Sequence, residues 1–372
     1  MDTKTAPDAS LEPIQELAKG ELKKLAGKID REGFYPQDFL HSLGERGGFG
    51  STLKAESEGS PTVDLTRQFQ SITAVGRYCG STAFLAWCQS ACAWYLHHAR
   101  VEATRKRYLD RVASGKELSG TGMSNTVKHL AGIERIHLKA RRSGDGYVIK
   151  GTLPWVSNID RNNLLVVTAE ADTGGYVMFV AEGDSPNLEL RPCPEFSGME
   201  GTATYSIHFR DVSIEADQVI AHPDQFEGFM QRIKPGFIIG QCGIGLGVVD
   251  GCLQRIHESN LTHSEVNQFL DDQEADIQIA RDELYARGLK LATQAQKGHV
   301  QVLDALKLRA ATSELTLRAA NSAVLHAGAR GYLMRDSAQR QLREAVFVGI
   351  VTPALKHLRK EIHDIENARA CA

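Results

Sequence analysis

The chain has 372 residues, 42% hydrophobic and 24% charged, with 46 acidic against 43 basic side chains and a net charge of −3. That length exceeds one typical domain, and the composition is that of a folded chain rather than a disordered one. The balance of charge excludes an electrostatic case for nucleic acid or an anionic membrane surface.

The opening residues, Met1-Asp2-Thr3-Lys4, hold no basic stretch followed by an apolar core, so no secretory leader is expected. From Leu11 to about Gly115 apolar residues recur at helical spacing. Ile14, Leu17, Leu22, Leu25 and Ile29 form one stripe; Phe69, Ile72, Val75 and Cys79 form another. Gly33, Pro36 and Gly47-Gly48-Phe49-Gly50 separate these helices. The run 81–100 carries Phe84, Leu85, Trp87, Cys88, Cys92, Trp94, Tyr95 and Leu96 around much of its circumference, which places it inside a bundle. Next to it, His97-His98 point to different helix faces and do not have the spacing of a metal-ligand pair. Arg105-Lys106-Arg107 reads as one solvated helix face.

Between about 118 and 222 the period changes. The segments 148–151, 164–168, 176–180 and 205–209 read as short strands bounded by Gly144-Asp145-Gly146, Gly174-Gly175 and Ser185-Pro186-Asn187. With no helix expected among them, they predict an antiparallel sandwich or barrel. From Phe226 the helical period returns, and 270–293, 302–325 and 339–365 are each long enough for bundle helices. The fold class expected is α+β: an N-terminal helical domain over 1–115, a β domain over 116–224 and a C-terminal four-helix bundle over 225–372.

The longest apolar stretch, 237–249, is shorter than the roughly 20 residues a bilayer requires, so no membrane partner is expected. Seven cysteines form no Cys-x-x-Cys pair, which predicts packed, reduced thiols and a cytoplasmic setting. Gly243-Ile244-Gly245-Leu246-Gly247 imitates a dinucleotide fingerprint, but no strand precedes it; a helix whose glycines admit a neighbour fits better. The acidic run 271–276 reads as a solvated face and helix-start charge. No metal-ligand set and no strand–Gly-x-Ser-x-Gly–helix element is present, so neither a metal site nor a serine hydrolase is expected.

Five local signatures occur in order. They are Cys79-Gly80-Ser81-Thr82-Ala83-Phe84; Trp155-Val156-Ser157-Asn158; Gly198-Met199-Glu200-Gly201-Thr202 with Phe209-Arg210-Asp211-Val212; the run 243–250; and Leu325-His326-Ala327-Gly328-Ala329-Arg330-Gly331-Tyr332 followed by Arg343-Glu344-Ala345. With the helix–strand–helix layout they resemble the acyl-CoA dehydrogenase superfamily, including its flavin-dependent monooxygenase branch, over nearly the whole chain. The resemblance implies a homotetrameric flavoprotein with FAD between the β domain and the bundle. It also implies a small-molecule substrate such as an acyl-CoA, and an electron-transfer flavoprotein or a flavin reductase as redox partner. By the same resemblance Trp155 packs against the isoalloxazine, Ser157 donates toward N5 and Thr121 approaches the pyrimidine side. Gly328 and Ala329 then stand in the segment lining the adenosine half. Without the family, Trp155 reads as core and 157–160 as a turn bonded to its own backbone.

The departures from the family pattern concern chemistry. Dehydrogenation of an acyl thioester needs a base for the α-proton, which relatives supply as a glutamate from one of two places. Here those places hold Thr352 and Ile233, and a neutral hydroxyl is a very poor base. Glu227 lies six residues short of the second place, and Glu344 occupies the family's aspartate position, where it reads as a partner for an arginine. The family's Thr-Glu pair reads Thr121-Gly122, its arginine-bearing loop is shortened through Asn260-Leu261-Thr262-His263-Ser264, and its Gln-x-x-Gly-Gly reads Leu325-His326-Ala327-Gly328-Ala329. These losses weaken diphosphate and ribose contacts more than ring contacts, so FMN, or reduced flavin supplied by a reductase, is physically easier than tight FAD. Three functions stay open: oxidation of the CH–CH group of an acyl thioester, a two-component monooxygenase using reduced flavin and O2, and a cofactor-free scaffold relative. Phe229, Ile233 and Phe237 are candidates to set pocket depth.

Overall fold

The computed structural model describes residues 11–51 and 62–370. The first apolar stripe forms α1 (Glu12–Leu17), continued by a wider turn over Ala18–Leu22 into α2 (Lys23–Glu32). Gly33 ends it at φ +66°, a conformation that suits a residue without Cβ. Then come α3 (Gln37–Glu45), α4 (Leu65–Gly76), α5 (Gly80–His97) and α6 (Glu102–Ala113). Asp64 caps α4, its carboxylate accepting from the amides of Thr66 and Arg67 at 2.8 and 3.2 Å. Every residue of α5 except His97 is buried, which explains a sequence apolar on all sides.

The sheet comprises β1 (Ser119–Thr121), β2 (Lys139–Ser143), β3 (Gly146–Val156), β4 (Leu164–Ala171), β5 (Tyr176–Glu182), β6 (Leu188–Pro192), β7 (Tyr205–Ile214) and β8 (Val219–Ala221). Its order is β6-β7-β3-β2-β4-β5-β8, with β1 also on β4. Five of the seven pairings are antiparallel; β1 and β2 both run parallel to β4. The sheet is therefore mixed, and the expectation of strands without a helix is corrected by α7 (Met123–Leu130). β1 pairs with 164–166 and β2 with 170–171, two ends of one strand, and α7 connects β1 to β2.

The C-terminal part begins with one 42-residue helix, α8 (Phe226–Asn267), followed by α9 (Glu274–Gln296), α10 (Val302–Ala327), α11 (Ser337–Ile350) and α12 (Leu355–Ala370). Residues 260–264 thus lie in a helix and not in a loop, although His263 departs from helical geometry at φ −132°. The single helix expected over 339–365 is divided at 351–354. The acidic run straddles the start of α9, with Glu274 and Asp276 in its first turn as helix-start charge, and that start is a reciprocal box between Gln273 and Asp276. By length and composition α8 could cross a membrane, but 94% of its most apolar window is buried inside the protein.

Glycines set how α8 packs. A Cβ on Gly247 would lie 2.6 Å from the Cα of Gly76, and one on Gly243 would lie 2.9 Å from the Phe69 carbonyl oxygen. α4 and α8 therefore cross at backbone contact, as the helix reading of 243–247 expects. Toward α5, a Cβ on Gly236 would meet Trp94 Nε1 at 2.6 Å, and one on Gly240 would meet Trp87 Cδ1 at 3.0 Å. The two indoles fill these notches and donate to the carbonyls of Ile233 and Phe237, both at 3.2 Å. Cys79, Cys88, Cys92, Cys242 and Cys252 are free and buried, and Cys193 is half-buried; Cys371 lies outside the described residues.

Candidate functional site

β3 ends in an irregular register between Leu153 and Val156, and there Trp155 stands at φ +56° with 64% of its surface exposed. A left-handed backbone costs a side-chain-bearing residue about 1–2 kcal/mol, so the fold holds a large aromatic ring out to solvent in a strained conformation. The reading of Trp155 as core is excluded. Among the described residues its ring meets Phe196 edge-to-face, at 6.5 Å between centroids.

Ser157, two residues on, is buried, with its Oγ 2.6 Å from Thr204 Oγ1. Asn158 is also left-handed, at φ +62°. Its Oδ1 accepts from the Tyr35 hydroxyl at 2.7 Å, its Nδ2 donates to the Ser119 carbonyl at 2.8 Å and its amide donates to the Thr202 carbonyl at 3.0 Å. Ser157 and Asn158 are therefore held by partners far away in sequence, while Asp160 accepts locally from the Arg161 amide at 2.5 Å and the Asn163 amide at 3.0 Å, as in the turn expected there. Thr121, at the end of β1, is half-buried with Oγ1 3.3 Å from the Tyr95 hydroxyl.

The bundle supplies the opposite side. Thr352 lies between α11 and α12, with its Oγ1 2.7 Å from Ser124 Oγ on α7. Its carbonyl accepts from Gln241 Nε2 on α8 at 2.9 Å. Behind it Arg309 is fully buried, and no carboxylate is paired with it among the described residues. Its guanidinium donates to Gln241 Oε1 at 3.2 Å, to the Val348 carbonyl at 2.6 Å and to Ser313 Oγ. Burial lowers its pKa, with the Cys242 thiol acting in the opposite direction. One buried cation thus ties α8, α10 and α11 together beneath Thr352.

Aromatic rings join the two sides. Tyr95 meets Phe237 at 6.4 Å, Trp87 meets Phe237 at 5.1 Å and Phe84 bridges Trp87 and Phe347 at 5.6 and 4.7 Å. Tyr95 therefore links Thr121 to this cluster, while Ser124 links α7 to Thr352. Of the pocket-depth candidates, Phe237 belongs to the cluster; Phe229 and Ile233 are buried along the same helix.

Glu344 does not reach this junction. It is buried against the first turn of α5, 3.4 Å from Arg340 Nε, and burial raises its pKa while Arg340 opposes the rise. Its reading as an arginine partner holds. Gly328 ends α10 at φ +59° and Ala329 follows in a short 3-10 turn, Gly328–Tyr332. No hydrogen bond or ring contact among the described residues connects either to Thr121, Trp155 or Ser157. Leu325, 54% exposed, offers an apolar surface where an amide would donate. The donor set therefore fits a flavin ring at the strained Trp155 side better than it fits the adenosine half of FAD.

The residues missed from sequence are Ser124, Gln241 and Arg309. Arg309 had a signal, since it shares a helical face with the buried Leu306 and Ser313. Ser124 and Gln241 had none. A separate cavity of about 860 Å³ lies between α1, α4, α8, α9 and α11, lined by Arg77, Asp250, Arg281 and Gln341 among others. It contains none of the junction residues.

Helices, a mixed sheet and a helical bundle meeting at one junction define a fold of the acyl-CoA dehydrogenase kind. Residues 8–116 match the family model of the acyl-CoA dehydrogenase N-terminal domain. The chain is 26% identical over 357 residues to a probable acyl-CoA dehydrogenase of Bacillus subtilis (strain 168), covering 91% of this chain and 92% of that protein. Its backbone matches butyryl-CoA dehydrogenase from Megasphaera elsdenii with a TM-score of 0.85 at 18% identity, covering 98% of this chain and 99% of that one. It matches dibenzothiophene monooxygenase from Paenibacillus sp. A11-2 with a TM-score of 0.80 at 16% identity, over 95% and 96%. Over residues 8–116 the chain is thus similar to the acyl-CoA dehydrogenase N-terminal domain, and as a whole it has the fold of the acyl-CoA dehydrogenases.

Proposed function

We propose that this protein is a flavin-dependent oxidoreductase acting on the CH–CH group of an acyl thioester or a similar small substrate. The observation that carries this reading is Trp155, a large aromatic held exposed and strained beside the buried Ser157 hydroxyl. Strain of that kind persists where surrounding structure enforces it, and it gathers at ligand sites. Trp155, Ser157 and Thr121 would hold the ring, and Gly328 with Ala329 would lie along the adenosine part if the cofactor is FAD. Bound flavin supplies a two-electron acceptor for hydride. The aromatic cluster from Phe84 to Phe237 would exclude water from the substrate's reacting end. The Thr352 and Ser124 hydroxyls would position a polar substrate group by hydrogen bonds, since neither can act as a strong base near neutral pH.

The missing carboxylate at 352 and 233 specifically favours a second reading, a two-component monooxygenase that takes reduced flavin from a reductase and uses O2. That chemistry has no α-proton for an active-site glutamate to remove. FMN or reduced flavin suits it, given the loss of donors around Leu325. The exposed apolar side chains Leu261, Phe269, Tyr332 and Met334 support a homotetramer, in which other copies would cover them.

Absorption spectra of the purified protein titrated with FAD, FMN and their reduced forms test the assignment. A shifted flavin spectrum is expected with at least one of them, and bleaching by an acyl-CoA panel would select the dehydrogenase. Tight binding of reduced flavin alone, with no acyl-CoA response, would select the monooxygenase. Binding of no flavin in either redox state would overturn both and leave the scaffold.

A further inference from the structure

We propose that Arg100, Arg105 and Arg232, gathered around His97 and His98, form a binding site for a small oxyanion of the phosphate class. The site lies where α5 ends, α6 begins and α8 passes the C-terminus of α9. It uses no residue of the flavin reading and stands independently of it.

Several of the more buried arginines of this fold are paired with carboxylates. Arg255 grips Asp336 with two bonds of 3.1 Å, Arg281 grips Asp250 at 2.7 and 2.8 Å and Arg343 grips Asp30 at 2.7 Å twice. Arg107, in the basic triplet read as one wet face, pairs with Glu182 and Asp217. By contrast, no carboxylate pairs with Arg100, Arg105 or Arg232 among the described residues. Arg232 is fixed by donating to the carbonyls of Ala295 and Gln296, at 2.5 and 2.7 Å. Glu102, the carboxylate felt by Arg105, is taken by Lys106 at 2.8 Å.

The imidazoles complete the cluster. His98 packs edge-on against Trp94 at 4.2 Å and against His97 at 4.7 Å, and Arg232 lies over the Trp94 ring at 5.2 Å. Two buried nitrogens, His98 Nε2 and Arg105 Nε, have no hydrogen-bond partner. Burial, then Arg232, pushes the His98 pKa down to about 3, and burial, Arg232 and Arg105 lower that of His97. Three guanidiniums close to two imidazoles and without a carboxylate partner among the described residues, beside the unpaired N–H of Arg105, are the electrostatic complement of a phosphate. The ligand is small because Trp94 is itself buried beneath Arg232 and His98, leaving no aromatic face for a base or an acyl chain.

Calorimetric titration of the full chain with inorganic phosphate, against chloride at matched ionic strength, tests the proposal. Nuclear magnetic resonance of the imidazole protons provides a parallel readout. Saturable phosphate binding is expected, with the His97 pKa rising as phosphate binds. The double variant R100Q/R105Q should lose at least about tenfold in affinity. Should that variant fail to fold, Arg100→Gln alone, at an exposed position, takes its place. Adenosine monophosphate in place of phosphate identifies the source: tighter binding indicates a phosphate monoester, equal or weaker binding free phosphate. Heat no different from chloride, or equal affinity in wild type and variant, would overturn the site.

Discussion

The sheet side of the junction and its bundle side are built on different terms. On the sheet side a strained residue is kept: Trp155 and Asn158 are both left-handed, and Asn158 is anchored by Tyr35, Ser119 and Thr202. On the bundle side the backbone is supported with equal care, by Arg309 and Gln241, yet the side chain presented is a neutral threonine. If the sheet side binds a flavin ring as proposed, that geometry depends on many tertiary contacts and is costly to rebuild once lost. A proton acceptor at 352 would be one side chain on a connecting segment, which one substitution removes while the fold stays intact.

Thr352→Glu attacks that difference most directly. If the bundle side lacks only its base, the variant should bleach bound flavin with an acyl thioester at least about 100-fold faster than wild type, at the low end of what a positioned base contributes. Stopped-flow absorbance reads this, and an unchanged rate would show that the two sides differ by more than a carboxylate. Arg309→Met removes the cation under the same segment. It leaves the Val348 carbonyl and Gln241 Oε1 buried without a donor, and a loss of about 2–4 kcal/mol in denaturant unfolding is expected. A loss below about 0.5 kcal/mol would mean that the segment is held by other contacts. Trp155→Gly tests the sheet side, with the smallest effect. Stability should hold or rise by up to about 1 kcal/mol as the left-handed strain is relieved, while flavin affinity falls about tenfold. A large loss of stability would make Trp155 a structural residue after all.

Much of the fold was legible because its signals are periodic. The stripe through Ile14 and Leu22, the circumference of α5 and the apolar β4 and β5 each state their burial over many residues at once. Strands β2 and β6 were missed because Lys139–Ser143 and Leu188–Pro192 are short and largely exposed, so they carry little apolar alternation. The division of 339–365 was missed because both sides of the 351–354 break keep helical spacing. In the candidate site, Trp155, Ser157 and Thr121 were singled out by their local strings, and Thr352 and Ile233 by spacing. Ser124 and Gln241 were not, since they matter through Thr352 and, for Gln241, Arg309, all far away in the chain.

The sequence by itself determined the order of helices and strands and the likeness to the acyl-CoA dehydrogenase fold. Local periodicity, glycine placement and spacing within a motif survive in one dimension. Only the tertiary structure decided that Trp155 is exposed and strained, that Glu344 is tied to the start of α5, that Arg309 holds the Thr352 segment and that Arg100, Arg105 and Arg232 have no carboxylate partner among the described residues. Each of those facts is a relation between residues far apart in the chain, created when burial brings them together and each buried polar group must find its partner or go without.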